Sequence, residues 1–475
     1  MLAEIKGLNE ECGVFAVWGH KEAAQIAYYG LHSLQHRGQE GAGIAVTDGD
    51  ALSIHKGLGL VTEAFKEGEI DQLHGHAAIG HVRYATAGGG GLVNCQPLLF
   101  RSHTGSESLA VAHNGNLVNA NEVKHQLESQ GSIFQSTSDT EVLAHLIKRS
   151  VYPNLEDKFK NALSMLKGAY AFTVLTEDKL LIAQDPQGMR PLSIGRLGEA
   201  YVVASETCAF DVIGAEYVRE VQPGEIVTID DEGIRSILFS NASQRALCSM
   251  EYIYLSRPDS NLDQINVHSA RKQLGKQLAK EAPVEADIVT GVPESSISAA
   301  IGYAEQAGIP YELGLIKNRY VGRTFIKPSQ ELREQGVKMK LSAVRGVVEG
   351  KRVVMVDDSI VRGTTSRRIV RLLKDAGALE VHVRISSPPI THPCFYGIDT
   401  STKEELIAAT HSIEEMREQM GADSLTFLST DGMLEGINHG GKDSACGRCM
   451  ACFTGEYPTE IYQDTLHPHD KAVKS

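Results

Sequence analysis

Short apolar runs bounded by glycine and polar residues dominate the first half of the chain. Runs rich in β-branched and aromatic residues predict strands, and they lie at 12–18, 43–46, 77–84, 109–112, 170–175, 180–183, 201–204, 225–229 and 234–239. Apolar residues at helical spacing predict helices at 21–35, 122–129, 140–150 and 155–166. Many strands with a few long helices predict two stacked sheets faced by helices, a layered α+β domain.

The second half has a different pattern, in which single strands lead through small-residue loops into helices. Strands are predicted at 287–291 and 353–356, the latter followed by a helix over 367–376. A chain of 475 residues is longer than one hydrophobic core usually serves. We therefore predict two domains with a boundary between residues 240 and 260, the second built on an α/β sheet.

Composition narrows the class of protein. An apolar content of 42% and a charged content of 22% are typical of globular proteins. The net charge of −14 argues against general binding to nucleic acid or to an anionic membrane surface. No apolar run approaches the ~18–20 residues of a membrane span, and the start of the chain lacks the layout of a signal peptide. We expect a cytoplasmic protein.

One stretch, Val353 to Ser366, combines a buried strand with two carboxylates and a run of small polar residues. In open α/β sheets, ligands bind at the carboxyl ends of strands, beside the start of the next helix. The hydroxyl and N–H groups after this strand could surround one phosphate. The paired carboxylates could hold hydroxyls of the sugar that carries it, or Mg²⁺ through water. The candidate residues are Asp357, Asp358, Ser359, Arg362, Gly363, Thr364, Thr365 and Ser366.

Residues of the first half suggest a second chemistry. Cys12 begins a predicted strand, and Arg83 ends another, where it is suited to bidentate binding of a carboxylate. Asn114 and Gly115 offer a side-chain amide and a backbone N–H, the donors of an oxyanion hole. Asp139 precedes a predicted helix, which it could cap, or it could bind an α-ammonium group. Each residue alone has an ordinary structural explanation, so only the whole ordered set indicates a site.

Both ordered sets resemble known families. The stretch VVMVDDSIVRGTTSRR resembles the phosphoribosyl pyrophosphate (PRPP) loop of type I phosphoribosyltransferases. The set from Cys12 to Asp139 resembles the class II glutamine amidotransferase domain. Together, over about residues 12 to 460, they resemble the glutamine PRPP amidotransferase family. The resemblance implies the following segments: a propeptide over 1–11, an N-terminal-nucleophile αββα sandwich over 12–245, an α/β phosphoribosyltransferase domain over 246–460 and a tail over 461–475.

The resemblance assigns roles to the residues of the first half. Cys12 would be the nucleophile, and its own free α-amine, with an ordinary pKa of about 7.7–8.0, would be the base. Because eleven residues precede Cys12, they would have to be removed. Arg83 and Asp139 would bind glutamine, while Asn114 and Gly115 would polarise the oxyanion.

The resemblance also assigns roles in the second half. Ser295 would lie near Mg²⁺, together with Asp357 and Asp358. Lys317 and Arg319 would neutralise the diphosphate, and the segment 327–340 resembles the flexible lid that closes over PRPP. Ammonia released at Cys12 would reach C1 of the ribose as pyrophosphate leaves, with inversion.

The cysteines suggest a metal or iron–sulfur group rather than a disulfide framework. Cys446, Cys449 and Cys452 have the spacing of a ferredoxin-like run without its fourth cysteine and its proline. Zinc is the chemical alternative. The resemblance implies a structural 4Fe–4S cluster on Cys248, Cys394, Cys449 and Cys452, and an exchange between Cys446 and Cys452 stays open.

The implied reaction converts glutamine, PRPP and water into 5-phosphoribosylamine, glutamate and pyrophosphate, the first committed step of purine biosynthesis. The resemblance further implies a homotetramer that purine nucleotides inhibit, without nucleic-acid or membrane partners. A hexosamine or asparagine synthase would share the first half but lack the PRPP loop. A regulatory PRPP sensor would keep that loop, but it would need a basic DNA-binding surface and not the ordered glutaminase residues.

Overall fold

The computed structural model describes residues 12–84, 91–102, 108–240, 245–318, 341–398, 400, 402–438 and 447–462. The strands of the first half are β1 (Gly13–Trp18), β2 (Gly41–Thr47), β3 (Leu52–Leu58), β4 (Ala77–Arg83), β5 (Leu98–Phe100), β6 (Leu109–Leu117), β7 (Gly168–Leu175), β8 (Leu180–Gln184), β9 (Ser193–Leu197), β10 (Ala200–Ala204), β11 (Glu216–Glu220), β12 (Glu225–Asp230) and β13 (Gly233–Leu238). Its helices are α1 (Ala23–Ser33), α2 (Val61–Ala64), α3 (Ala120–Ser129), α4 (Thr140–Arg149), α5 (Leu155–Met165) and α6 (Cys208–Ile213).

These strands form two antiparallel sheets that lie face to face. The seven-stranded sheet has the order β11-β9-β10-β1-β4-β2-β3, and the six-stranded sheet has the order β13-β12-β8-β7-β6-β5. Successive side chains of a strand point to opposite faces. Val14 and Ala16 of β1 therefore pack in the core between the sheets, whereas Phe15 and Val17 pack against the outer helices. The predicted sandwich is confirmed.

The second half contains shorter strands and longer helices. The strands are β14 (Leu247–Cys248), β15 (Asn261–Leu262), β16 (Ile265–Asn266), β17 (Ile288–Gly291), β18 (Leu315–Lys317), β19 (Leu341–Ala343), β20 (Arg352–Asp357), β21 (Glu380–Ile385), β22 (Ser424–Phe427) and β23 (Arg448–Cys449). The helices are α7 (Val267–Glu281), α8 (Ile297–Ala307), α9 (Arg345–Val348), α10 (Thr364–Asp375), α11 (Ile407–Thr410), α12 (Ile413–Met420), α13 (Thr430–Asn438) and α14 (Ala451–Thr454).

A four-stranded parallel sheet, in the order β17-β20-β21-β22, is the centre of the second half. Val289 of β17 also forms a parallel bridge with Tyr311 on its outer side. The chain therefore moves outward from β17 and later returns to the other side with β20. This reversal creates a crevice at the carboxyl ends of β17 and β20, the usual place for a ligand in such sheets.

The boundaries of several elements differ from the prediction. β6 continues to Leu117, five residues beyond the predicted end, and α10 begins at Thr364 rather than at residue 367. In the first half, the strands β3, β5, β9 and β11 were not predicted. The strands β3, β5 and β11 lie at sheet edges, and β9 is a short interior strand with a weak apolar pattern. In the part of the chain that is described, no helix is long and apolar enough to cross a membrane.

Candidate active sites

The first site lies at the edge of the sandwich where β1 begins and β4 ends. Gly13 pairs with Val82 across these antiparallel strands. One residue further along the register, Cys12 therefore lies opposite Arg83. Alternation along both strands points the two side chains toward the second sheet. Both residues are buried, and Sγ of Cys12 lies 3.5 Å from the carbonyl oxygen of Tyr84.

The second sheet brings Asn114 to the same gap. Asn114 lies on β6 and is fully buried. Its Nδ2 lies 3.4 Å from Oγ of Ser205, whereas its Oδ1 has no hydrogen-bond partner among the described residues. Oγ of Ser205 also accepts a hydrogen bond of 3.0 Å from the N–H of Val14. The Ser205 hydroxyl therefore joins the strand of the candidate nucleophile to the candidate oxyanion residue.

Gly115 occupies a position that only glycine fits. Its φ is +140°, and a Cβ atom here would lie 2.1 Å from the carbonyl oxygen of Ala169 on the neighbouring strand. The backbone of β6 is thus bent and closely covered beside Asn114.

Asp139 does not cap the helix that follows it. Its side chain makes no capping hydrogen bond to α4. Instead, its Oδ2 accepts a hydrogen bond of 2.9 Å from the N–H of Leu117 and lies 3.6 Å from Nδ1 of His113. Burial alone would raise the pKa of Asp139, but the charge of His113 and the hydrogen bonds lower it below its ordinary value. A partly enclosed carboxylate that stays ionised is suited to an ammonium ligand.

Two histidines that support this arrangement were not predicted. His113 stacks on Phe172, its partner across β6 and β7, with ring centroids 4.5 Å apart. Nε2 of His81 lies 3.1 Å from the carbonyl oxygen of His113, and burial lowers the pKa of His81 to about 3. The sequence places His113 next to Asn114, but only the strand geometry shows that the two side chains point to opposite faces of the sheet.

The second site lies at the crevice of the parallel sheet. β20 ends at Asp357, and α10 begins at Thr364. Thr364, Thr365 and Ser366 therefore form the first turn of a helix, whose N–H groups have no intrahelical partners and favour an anion. Gly363, just before this turn, has a φ of +72°, a left-handed conformation that favours glycine. This turn is suited to bind a phosphate.

Hydroxyl groups surround the two aspartates in this crevice. β17 and β20 are parallel neighbours, so the loops that follow them leave the same edge of the sheet. Ser296 donates a hydrogen bond of 2.9 Å from Oγ to Oδ1 of Asp357. Oδ1 of Asp358 accepts a hydrogen bond of 2.6 Å from Oγ of Ser359, and its Oδ2 accepts one from Oγ of Ser295.

The two carboxylates repel each other inside the protein. Burial and the charge of Asp358 raise the pKa of Asp357 well above its ordinary value. Burial also raises the pKa of Asp358. The hydrogen bonds from the serines and the charge of Arg271 lower this pKa, but by less than burial raises it. A cation or sugar hydroxyls bound here would stabilise this charge. No group of three or more His, Cys, Asp and Glu residues in the described ranges is arranged to hold a metal ion, so an ion here would need further ligands from water or substrate.

The other residues predicted to bind PRPP are less central. Nη2 of Arg362 donates a hydrogen bond of 2.5 Å to Glu405, and Lys317 is the exposed last residue of β18. Four of the predictions lie outside the described residues: Arg319, Cys446, the propeptide 1–11 and the segment 327–340.

The four cysteines predicted to bind a cluster lie in neighbouring segments at the junction of the two halves, although their side chains in the described ranges are not arranged as a metal-binding group. Cys248 and Cys449 are paired in the parallel strands β14 and β23. Cys394 packs against the core cluster that contains Cys449, and the carbonyl group of Cys452 accepts hydrogen bonds of 3.0 Å from two N–H groups just before Cys394. The charges of Cys394 and Cys449 act on the Cys452 thiol, whose pKa is raised chiefly by burial.

Comparison with known proteins assigns both halves of the chain to families. The glutamine amidotransferase domain family matches residues 93–212, and the phosphoribosyl transferase domain family matches residues 261–386. The fold and the two sites therefore define a glutamine amidotransferase joined to a phosphoribosyltransferase.

Relatives with both domains are similar over the whole chain. The amidophosphoribosyltransferase of Bacillus subtilis (strain 168) is 73% identical over 471 residues, 99% of each chain. That of Staphylococcus aureus (strain MRSA252) is 55% identical over 458 residues, 96% of this chain and 92% of the relative. The chain belongs to the amidophosphoribosyltransferase family, enzymes of purine biosynthesis.

Two solved structures have the same fold over nearly the full length. A structure of "the allosteric regulatory enzyme of purine biosynthesis" has a TM-score of 0.93 and 72% identity, and the match covers 97% of this chain and 99% of that one. The glutamine PRPP amidotransferase from B. subtilis complexed with ADP and GMP has a TM-score of 0.92 and 71% identity, with coverage of 97% and 100%. The two-domain fold class is thus confirmed.

We predict that Asp357→Asn stabilises the protein in the absence of ligands. A carboxyl group whose pKa is raised by folding penalises the folded state once the pH rises above its ordinary pKa, and the penalty disappears as the pH falls to that value. The melting temperature of the variant should exceed that of the wild type by roughly 2 °C at pH 8 and by less at pH 5, measured by calorimetry in EDTA.

The matched control is Asp287→Asn in the same half. The hydrogen bonds from Arg352 lower the pKa of Asp287, so its replacement should bring no gain at pH 8. An equal gain in both variants, or a gain for Asp357→Asn that grows toward pH 5, would contradict the assignment.

Proposed function

We propose that the edge of the sandwich hydrolyses glutamine and that the crevice of the parallel sheet uses the released ammonia on PRPP. The products are glutamate, 5-phosphoribosylamine and pyrophosphate. One observation carries the proposal: the candidate oxyanion strand packs against the second half. Asn116 donates a hydrogen bond of 2.9 Å from Nδ2 to the carbonyl oxygen of Phe395, and a Cβ atom on Gly397 would lie 3.5 Å from the carbonyl carbon of Gly115.

Cys12 is the nucleophile of this proposal. Its thiol transfers a proton to the free α-amine of the same residue, and the sulfur attacks the side-chain amide carbon of glutamine. The α-amine exists only after the bond between Glu11 and Cys12 is cleaved, so we propose that residues 1–11 are a propeptide. Two donors stabilise the oxyanion: the N–H of Gly115 and the side-chain NH₂ of Asn114. Rotation about χ2 exchanges the oxygen and nitrogen of the Asn114 amide, so that its NH₂ faces the oxyanion. The oxyanion then collapses, the amide C–N bond breaks, and the α-ammonium gives its proton to the departing ammonia, which leaves a thioester on Cys12. Water hydrolyses this thioester to glutamate and restores the thiol.

Two charged residues orient the glutamine. The guanidinium of Arg83 binds the α-carboxylate, because it follows in register beside Cys12 and presents a planar pair of donors. The ionised carboxylate of Asp139 binds the α-ammonium group. The two contacts fix the substrate amide against Cys12.

The crevice at β17 and β20 binds PRPP in this proposal. The first turn of α10, with Gly363, binds the 5-phosphate, and Asp357 and Asp358 bind the ribose hydroxyls. Ser359 and Arg362 complete the loop, and Lys317 and Arg319 neutralise the diphosphate. Ammonia attacks C1 from the side opposite the departing pyrophosphate.

The same crevice fits Mg²⁺. Its polar atoms are hard oxygen donors, the carboxylates of Asp357 and Asp358 and the hydroxyl of Ser295, and the raised pKa values show that negative charge is left uncompensated. We propose these three residues as the magnesium site, where the ion would neutralise charge on the diphosphate when bound.

The chemistry of the four cysteines at the junction suits a 4Fe–4S cluster, although their side chains are not arranged as a metal-binding group in the described residues. Cys248, Cys394, Cys449 and Cys452 present soft sulfur donors from three separate segments, and the N–H of Tyr396 donates a hydrogen bond of 3.4 Å to Sγ of Cys394. Bound there, the cluster would supply cross-linking of these segments rather than a step of the reaction.

Purine nucleotides are proposed as inhibitors, since a similar enzyme has been solved with ADP and GMP bound. We also propose a homotetramer in the cytoplasm. Both follow from the family relationship.

We predict that Cys12→Ala abolishes the glutamine-dependent reaction and leaves the ammonia-dependent reaction intact. Removal of the sulfur removes the nucleophile that attacks glutamine, so glutamate release should fall by at least ~10³-fold. Glutamate and pyrophosphate would be measured on anaerobically purified protein with Mg²⁺, and intact mass would show whether Cys12 is the first residue.

The wild type should release the two products in equal, mutually dependent amounts. Glutamate without pyrophosphate would point to another acceptor. Loss of the ammonia-dependent reaction in Cys12→Ala would contradict the separation of the two sites.

We predict that anaerobically purified protein contains about four iron and four sulfide per chain and that Cys394→Ser loses most of both. The matched control is Cys208→Ser, because Cys208 is fully buried in the core of the first half, away from the four cysteines. Zinc in place of iron, or equal iron in both variants, would contradict the ligand assignment.

A further inference from the structure

Five ionisable side chains form a cluster where the two halves meet, which we call the junction cluster: His36, Arg37, Arg190, Glu206 and Glu251. The first four belong to the sandwich, and Glu251 begins the short helical segment Glu251–Leu255 of the second half. All except His36 are at most 1% exposed. Charges this deeply buried are retained only with close partners.

Arg37 is the centre of the junction cluster. Its Nε donates a hydrogen bond to Glu206, and its Nη2 donates one to Glu251. Ser256 joins both sides, because its Oγ accepts a hydrogen bond of 3.2 Å from Arg37 and donates one of 2.5 Å to Glu251. Nη1 of Arg190 lies 3.7 Å from Glu251, and its Nη2 donates a hydrogen bond to the carbonyl group of Tyr396.

One side of the junction cluster supports the glutamine site. A Cβ atom on Gly13, the residue after Cys12, would lie 3.3 Å from Cδ of Arg37. A Cβ atom on Gly38 would lie 2.6 Å from the backbone nitrogen of Arg83. Glu206 directly follows Ser205, whose hydroxyl joins Val14 to Asn114.

The other side supports the segment that leads to the PRPP site. Oε2 of Glu206 accepts hydrogen bonds of 2.9 Å from the N–H of Arg257 and 2.6 Å from Oγ of Ser260. Arg271 of α7 donates hydrogen bonds of 2.8 and 2.7 Å to the carbonyl groups of Tyr252 and Ser256. Burial lowers the pKa of Arg271 to about 10. Nearby negative charges raise this pKa, and Asp358 has the largest effect among them.

We infer that the junction cluster holds the sandwich and the second half in the relative position that ammonia transfer requires, with Arg37 and Glu251 as positioning residues. The inference rests on the transfer proposed above. A rotation or shift of one half would separate Arg37 from Glu251 and leave two buried charges unpaired, so the pair favours a single arrangement. Neither residue acts on a reacting atom in the proposed reaction.

The test compares Glu251→Gln and Ser256→Ala with the wild type, each carrying its full chain and cluster. Glutamate and pyrophosphate would be measured together from glutamine and PRPP, and pyrophosphate separately from ammonium and PRPP. Glu225→Gln is the matched control, because Glu225 is also buried and pairs with Arg219, but both residues lie within the sandwich. Ser256→Ala removes hydrogen bonds to both charges without leaving a charge unpaired.

We expect about two or more glutamate per pyrophosphate in both junction variants, since ammonia escapes when the two sites are misaligned. The ammonium-dependent rate should stay within about twofold of the wild type. If Glu251→Gln does not fold, the inference is tested with Ser256→Ala alone, by the same product ratio and the same ammonium-dependent rate. A ratio near one in the junction variants, or an equal rise in Glu225→Gln, would overturn the inference. If the wild type itself releases unequal amounts of glutamate and pyrophosphate, the proposed ammonia transfer is overturned instead.

Discussion

The seam between the sandwich and the second half is the interaction on which both sites depend. Ammonia that meets water becomes ammonium, which has no lone pair with which to attack carbon. The two sites can cooperate only if the gap between them stays closed to solvent. In this protein, Asn116 of β6 donates a hydrogen bond to the carbonyl group of Phe395, and Arg190 of the junction cluster donates one to the adjacent carbonyl group of Tyr396. In the proposed function, these contacts close the seam and position the groups of both sites.

Several residues of the candidate sites are held at a cost to stability. Asp357 and Asp358 are adjacent like charges in a buried crevice, and Oδ1 of Asn114 has no hydrogen-bond partner among the described residues. Buried charges and polar atoms without partners tend to occur at binding sites, where a bound ligand compensates them. The parallel sheet and the sandwich core carry the stability that these sites require.

The layered sandwich and the strand–loop–helix of the PRPP loop could be predicted from the sequence, because their apolar periods are strong. The extension of β6 through Asn114 could not, since His113, Asn114 and Gly115 lack an apolar pattern and pair only because β7 covers them. Local sequence could not decide whether Asp139 caps α4, and its partner Leu117 belongs to a distant segment. Ser205 and Glu206 carry no local signal, and their roles depend on contacts with Val14 and Arg37.

The candidate sites were predicted from ordered sets of residues. Each of these residues alone has an ordinary structural explanation. Cys248, Cys394 and Cys449 are far apart in sequence, and only the fold brings them together. The proposed function depends on direct transfer of ammonia between the two sites. The most direct test supplies glutamine labelled with ¹⁵N in its amide group, with PRPP, Mg²⁺ and an excess of unlabelled ammonium, and measures the isotope in 5-phosphoribosylamine. Internal transfer predicts that the product keeps the ¹⁵N label against the competing pool. A product with the isotope composition of the solution would contradict it.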